Sequence, residues 1–185
     1  IKKIKSNNHK IPFSGKFSKN IGRKNTVSKL LEVLDKKKLL KKQKFKIKII
    51  KQIPNKAGLG GGSMNAANIL KHFIKKKIFK ISKKEISIIS NLVGSDVILG
   101  LNSINSILNT KSELKRFTNC KKFYVLIVKP NFGCSTRDVY SRVKIFDKPK
   151  FNKPSKKMFN YDYLKKMYNS LEPIVFLKYT KLRTI

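Results

Sequence analysis

The sequence predicts an α/β fold, arranged as an α+β two-layer domain, on three observations. The stretch "KFKIKIIKQI", residues 44–53, alternates apolar side chains with lysines at the period of a half-buried strand. It runs into "PNKAGLGGGS", where four of the chain's nine glycines occupy five consecutive positions, 58–62. Directly after the glycines, Ala66, Ala67, Ile69, Leu70, Phe73 and Ile74 recur at helical spacing towards Lys77. Strand, glycine turn and helix in that order form a unit whose helix lies over its sheet. At 185 residues the chain can hold one ordinary domain, or a domain and part of another, with a real core.

The other elements follow in order. "IKKIKSNNHKIPFSGKF" alternates apolar and polar residues on both sides of Asn7-Asn8, the signal of a hairpin. "NTVSKLLEVLDKK" sets Val27, Leu30, Leu31 and Leu34 on one helix face behind a capping Asn25 or Thr26. "SKKEISIISNLVGSD" opens with Ser82 and carries Glu85 three residues on, a capping box that predicts a helix to about Leu92. After Gly94 the chain reads as loop and then strand through "INSILNT". "KKFYVLIVKP", residues 121–130, is a continuous apolar run between lysines and predicts a central strand. "FDKPKFNKPSKK" is a loop, followed by a helix from about Tyr161 to Leu171 and a second helical segment from Glu172-Pro173 to the end.

Composition narrows the partners. The formal charge is +36, yet only five of the 45 basic residues are arginine, the residue suited to base readout and phosphate forks. The lysines run through every segment, and with abundant Ile, Asn and Phe and no Trp they match the bias of a very AT-rich genome. No specific nucleic acid is therefore expected as a partner, although a basic nucleic-acid-binding protein stays open as an alternative. No window approaches the ~18 uncharged apolar residues of a membrane span, and the N-terminus lacks a signal peptide's apolar stretch. A soluble, cytoplasmic protein without membrane contact is the expectation. Cys120 and Cys134 stand outside any C-x-x-C spacing and far in sequence from His9 and His72, so no disulfide framework or metal site is expected.

The glycine run is the part that carries chemistry. A glycine loop between a strand and a helix turns backbone N–H groups and a helix N-terminus towards an anion, and missing Cβ atoms let phosphate oxygens approach. Such a run also serves as a flexible connection or a tight helix–strand contact. The Walker A pattern fails because no lysine follows Gly62, and the dinucleotide fingerprint fails because Ser63 stands where its third glycine would be. Pro54 fixes the loop's entry, Leu59 is an apolar anchor, and Ser63 offers a hydroxyl at the helix start to cap it or touch a phosphate-bound metal.

Pro54-x-x-x-Gly58-Leu59-Gly60-Gly61-Gly62-Ser63, followed by Asn65-Ala66-Ala67, resembles the ATP loop of the GHMP kinases. The triple glycine resembles the branch of that family acting on isoprenoid precursors; other members more often read GLGSS. Asn25-Thr26-Val27, Gly94-Ser95-Asp96-Val97, Pro130 with Ser135-Thr136 and Val139-Tyr140, and Asn169-Ser170-Leu171-Glu172 resemble further family segments in the same order. Met64 departs from the family's second serine and Ile98 from its proline.

The resemblance implies a GHMP kinase fold: a ribosomal-protein-S5-domain-2-like domain at residues 1–119 lacking its first strands, then a truncated ferredoxin-like domain at 120–185. It implies ATP and Mg2+ as cofactors, a nucleotide held by Pro54, Asn55, Lys56, Ala57, Gly58, Leu59, Gly60, Gly61, Gly62, Ser63 and Met64, and no metal ligands from the protein. Asp96, set among Leu92, Val93, Val97, Ile98 and Leu99, is either a turn cap or the base that accepts a substrate hydroxyl's proton; the resemblance implies the base. Tyr140 matches an aromatic that packs on cytosine, and the implied substrate is a small molecule, a cytidine diphosphate-linked methylerythritol. A homoserine- or mevalonate-type member is the near alternative, and the assembly expected is a monomer or homodimer. Because residue 1 is Ile, the first methionine is Met64 and the family's catalytic-lysine strand has no counterpart, the chain is expected to be an internal fragment, inactive by itself.

Overall fold

A computed structural model describes residues 1–184, with Arg137 by its backbone alone. The chain divides into two compact units, one of Ile1–Asn55 with Gly60–Ser103, the other of Lys56–Leu59 with the chain from Ile104 onwards.

In the first unit, residues 44–51 are the central extended segment. Phe45, Ile47 and Ile49 turn inward and are buried, while Lys46, Lys48 and Ile50 face outward, as the alternation predicts. This segment contains β3 (Lys44–Lys46) and β4 (Ile49–Ile50). β1 (Lys2–Ile4) pairs antiparallel with β3, Lys2 facing Lys46, and β2 (Phe13–Ser14) pairs parallel with β4, Phe13 facing Ile49. The predicted hairpin of residues 1–17 is therefore absent. Residues 10–14 instead run parallel beside 45–51, through Lys10 N–H to Phe45 O (3.0 Å), Ile47 N–H to Lys10 O (2.8 Å) and Lys51 N–H to Ser14 O (2.6 Å). His9 helps to divert the chain, since its Nδ1 accepts the Phe45 N–H at 3.0 Å.

Parallel pairing needs a crossover, and α1 (Thr26–Lys36) supplies it. Asn25 caps α1: its Oδ1 accepts from Val27 and Ser28 N–H, and the Ser28 hydroxyl accepts the Asn25 N–H at 2.8 Å. Val27, Leu30, Leu31 and Leu34 are all buried. α2 (Gly61–Lys75) buries Ala66, Ala67, Ile69, Leu70 and Phe73, and the Phe73 ring stands 4.8 Å from Phe45 and 6.2 Å from Phe79. α3 (Lys83–Val93) begins at the predicted box, with Ser82 and Glu85 bonded reciprocally. Two single 3₁₀ turns, Ser95–Val97 and Leu99–Leu101, close the unit against α2.

In the second unit β5 (Asn105–Leu108) and β6 (Leu114–Phe117) form a hairpin. Asn109 holds its turn by accepting from Lys111 and Glu113 N–H. α4 (Thr136–Tyr140) follows, its Asp138 ion-paired with Lys178. The predicted helix from Tyr161 shrinks to α5 (Tyr161–Lys165), because Asn169 takes the Leu171 N–H on its side chain and starts a turn into α6 (Glu172–Lys178). The predicted central strand at 121–130 has no strand partner among the described residues, and its apolar side chains are exposed. A buried strand needs cover on both faces, and among the described residues Ile107 and Val139 are the only buried hydrophobic side chains of this unit.

Candidate functional site

The loop entering α2 is tied to the first unit by a side chain at its start. Asn55 Nδ2 donates to the Phe17 carbonyl (2.8 Å) and the Lys19 carbonyl (3.3 Å), fixing the chain just after Pro54. Gly60, at φ 62° and ψ 13°, is the N-cap of α2, a left-handed conformation that suits glycine. It brings no capping side chain, so the N–H groups of Gly61, Gly62 and Ser63 have no acceptor among the described residues; the intrahelical ladder starts with Met64 N–H to Gly60 O at 3.0 Å. Ser63 does not cap the helix, because α2 begins two residues before it.

The glycines have different surroundings. A Cβ on Gly62 would lie 2.8 Å from Thr26 Oγ1, so the start of α2 packs against the start of α1. A Cβ on Gly60 would meet nothing within 4 Å, which leaves that side of the helix start open.

Lys51 is the feature that sequence reasoning missed. It continues the inward set of Phe45, Ile47 and Ile49, and its side chain is buried, with only 8% of the residue exposed. Its Nζ lies 3.2 Å from where a Gly61 Cβ would stand, at the first residue of α2. The backbone of residues 14–17 wraps it: Lys51 O accepts from Phe17 N–H, and Gly15, at φ 97°, passes so close that a Cβ there would be 2.8 Å from Lys51 O. The first turn of α2 contains no acidic residue, and among the described residues no carboxylate pairs with Lys51. An ammonium and the positive end of a helix dipole thus converge without a counter-charge, an arrangement that favours an anion between them. The period-two pattern placed Lys51 on the inner face, and that was the available signal.

The turn bearing Asp96 adjoins the same helix start. Ser63 Oγ lies 3.9 Å from where a Cβ on Gly94 would stand, and Gly94 directly precedes Ser95-Asp96. Asp96 is exposed, and its Oδ1 accepts from the Ser95 hydroxyl at 3.1 Å. The apolar surroundings expected for this carboxylate are not there, for a local reason. The 3₁₀ turn sends Val97 into the core, fully buried, and turns Asp96 the other way. Met64 also gains an explanation: its Sδ and Cε lie 2.8 Å from where a Cβ on Gly100 would be, so the thioether packs onto the second 3₁₀ turn. The structure therefore brings Gly60–Met64, Lys51 and the Asp96 turn together.

Lys56, Ala57, Gly58 and Leu59 group with the second unit, where the Lys56 carbonyl accepts the Cys134 N–H at 3.0 Å and Leu59 is exposed. Tyr140, at the end of α4, is also exposed in that unit. A separate cavity of about 540 Å³ lies between α1 and residues 9–13. Its acids are already engaged, Asp35 with His9 (3.1 Å) and Lys44 (2.5 Å) and Glu32 with Lys36 (2.9 Å). Burial lowers the His9 pKa below the ordinary 6.5, outweighing Asp35, which raises it. Among the described residues no group of three His, Cys, Asp or Glu could hold a metal ion, and no helix is long and apolar enough to cross a membrane.

Comparison with known proteins gives the site a context. Residues 25–110 match the model of the GHMP kinases N terminal domain, and that span includes Asn25, the glycine loop, Lys51 and Asp96. The chain is 54% identical over 177 residues to a 4-diphosphocytidyl-2-C-methyl-D-erythritol kinase of Pelagibacter ubique, covering 96% of this chain and 63% of the relative. It is 36% identical to the enzyme of that name from Clostridium botulinum, over 76% of this chain and 52% of the relative. For the one from Petrotoga mobilis the figures are 35%, 64% and 46%. The chain thus spans less than two thirds of the length of each of these relatives. Residues 25–110 of this chain are thus similar to a GHMP kinase N-terminal domain, and their helix and strand content is mixed.

Proposed function

We propose that this chain supplies the ATP-binding part of a 4-diphosphocytidyl-2-C-methyl-D-erythritol kinase, which moves the γ-phosphoryl group of ATP to the substrate's 2-hydroxyl on the way to isoprenoid precursors. The observation that carries this reading is the uncompensated positive charge at the start of α2, where three N–H groups without an acceptor among the described residues lie near the Nζ of Lys51, a residue only 8% exposed. Phosphoryl transfer asks little covalent chemistry of a protein and much positioning and charge neutralisation.

The residues fit those tasks. Gly61, Gly62 and Ser63 offer N–H groups to phosphate oxygens, and the side of Gly60 is open for their approach. Pro54 and Asn55 anchor the loop, with Lys56 to Leu59 completing it and Met64 seating the helix on the second 3₁₀ turn. Bound Mg2+ would neutralise phosphate charge; with no ligating trio to cage it among the described residues, it would arrive on the nucleotide, with the Ser63 hydroxyl at hand. Asp96, exposed on the turn whose leading Gly94 adjoins Ser63, is the base for the substrate hydroxyl, and the Ser95 hydroxyl donates to its carboxylate. Tyr140 is the proposed platform for the cytosine ring. Residues 1–119 form the ribosomal-protein-S5-like domain of this reading and 120–185 begin a ferredoxin-like one.

Calorimetric titration with MgATP tests the proposal. The expected result is saturable one-to-one binding, competed by ADP and lost in Gly61→Asp, which places a carboxylate in the anion's seat. A folded chain that binds no MgATP, or binds it equally well as Gly61→Asp, overturns it.

A further inference from the structure

Lysines are spread along the whole sequence, and the fold gathers two dense runs of them at one end of the first unit. Residues 36–42 hold five lysines and residues 75–84 hold six, eleven in 17 positions against 45 basic residues in the 185 of the chain. All eleven are exposed, and neither stretch contains an acid. α1 and α2 bring the runs together. The two helices start side by side, at Thr26 and Gly62, and Phe73 near the end of α2 meets Phe45 in the strand that follows α1. Both helices therefore end at one pole, 11 and 15 residues from that start, about 16 and 22 Å from the glycine loop. The start of α3 adjoins it, since the Glu85 pKa is held below the ordinary 4.5 first by its bonds from Ser82 and further by the charge of Lys37.

Local structure does not ask for these lysines. Leu39 N–H bonds Leu34 O and Ile78 N–H bonds Phe73 O, both at 3.0 Å, so each helix ends in the same turn, with Lys38 (φ 56°) and Lys77 (φ 54°) in its left-handed position. Glycine or asparagine suits that position, and asparagine, plentiful elsewhere in the chain, is absent from both stretches. The partial negative charge at a helix C-terminus is about half a unit, so two of them offset about one lysine. Among the described residues only Lys36 of the eleven has a carboxylate partner, Glu32 at 2.9 Å. What remains is a concentrated positive field that a dense row of phosphates relieves.

The kind of polyanion follows from what these stretches lack. They contain no arginine, so they offer no fork to base edges. The aromatic rings beneath them, Phe45, Phe73 and Phe79, are buried, so no base can stack there as a single strand requires. Neither stretch exposes a large hydrophobic side chain to enter a lipid interface. A duplex backbone, with about one phosphate per 1.7 Å of its axis, needs none of these. We propose that the lysine pole at the C-terminal ends of α1 and α2 binds the phosphate backbone of double-stranded nucleic acid without regard to sequence. The pole is separate from the glycine loop, and the inference does not depend on nucleotide binding.

Fluorescence anisotropy with a labelled duplex of about 20 base pairs, as salt rises from about 50 to 200 mM, tests the proposal on the full chain. DNA and RNA duplexes should both bind saturably at the lower salt, with affinity unchanged by saturating MgATP and within about twofold for a shuffled sequence. Lys37→Gln, Lys76→Gln, Lys80→Gln and Lys83→Gln together should weaken binding at least about tenfold and flatten the slope of log K against log salt by up to about 3.6, or 0.9 per lost phosphate contact. The pair Lys76→Gln and Lys80→Gln alone should flatten it about half as much. Lys121→Gln, Lys122→Gln, Lys144→Gln and Lys148→Gln together remove the same charge from exposed positions of the second unit and should change affinity less than about twofold. Every variant should keep the parent's circular dichroism, because all eight side chains are exposed. No binding at the lower salt, equal loss in the two fourfold variants, displacement by MgATP, or a preference of about tenfold for one sequence overturns the proposal. So does tighter binding to vesicles of anionic phospholipid than to either duplex, which would make a membrane surface the partner.

Discussion

Gly100→Ala probes how closely the Asp96 region is fitted to α2. The added Cβ would stand 2.8 Å from Ala67 Cβ and 2.8 Å from Met64 Sδ and Cε. Carbon atoms in contact prefer about 3.5–4.0 Å, so the overlap is roughly 0.7–1.2 Å. Met64 can swing its thioether aside, but Ala67 Cβ is fixed to the helix backbone and the turn itself must move. Overpacking of this kind costs about 1–3 kcal/mol. Since Gly100 is not among the positive-φ glycines, alanine also restricts the unfolded chain, recovering about 0.4–1 kcal/mol. The net expectation is a loss of about 1–2 kcal/mol, a factor of roughly 5–30 in the unfolding equilibrium. Urea denaturation followed by far-ultraviolet circular dichroism reads it directly. Ala67→Gly on the Gly100→Ala background removes the collision, and the double-mutant cycle should return a favourable coupling of about 1 kcal/mol. A single variant within about 0.5 kcal/mol of the parent, or a coupling of zero, would refute the close packing of turn on helix.

Three other outcomes are expected. Lys51→Met should weaken MgATP binding about tenfold or more by titration calorimetry, as loss of a charged hydrogen-bond donor implies, with the circular dichroism spectrum retained; undiminished affinity would remove Lys51 from the site. His9 is held neutral by burial, so the unfolded chain takes up a proton first as pH falls: stability is full above about 6.5 and declines below it towards the lower folded pKa. His72 is shifted in the same direction, chiefly by burial, so the assay is the difference between the chain and His9→Phe, whose urea midpoint should fall less between pH 7 and 5. Ser82→Ala removes the cap of α3 and should cost about 0.5–2 kcal/mol in the same denaturation assay, against no change for Ser112→Ala, which lies in an exposed hairpin turn.

What was legible in the sequence was what short range decides. Asn25 and Ser82 announced α1 and α3 because a cap bonds only its own first turn, and the inward set Phe45, Ile47, Ile49 announced the central strand because its period is local. Pairing was less legible. Residues 1–17 carry a hairpin's alternation, yet Lys10–Ser14 bond to a segment more than thirty residues on, after a helix. Residues 123–128 have a buried strand's composition without its neighbours, and composition alone cannot supply those. At the site, the glycine loop stood out by its residues, whereas Asp96 was expected in apolar company because its sequence neighbours are apolar; the 3₁₀ turn separates them. Lys51 hid among 45 basic residues, and only its place in the strand's alternation distinguishes it.

That alternation ties the core to the chemistry. The step of two residues that buries Phe45, Ile47 and Ile49 is the same step that aims Lys51 at α2. A one-residue slip of the whole segment in register would send Lys44, Lys46 and Lys48 against the core and turn Lys51 to solvent. No intermediate register keeps one function and loses the other. For this chain, correct strand registration and the placing of the Lys51 side chain at the start of α2 are a single structural event, so the proposed nucleotide site stands or falls with the register of the core strand.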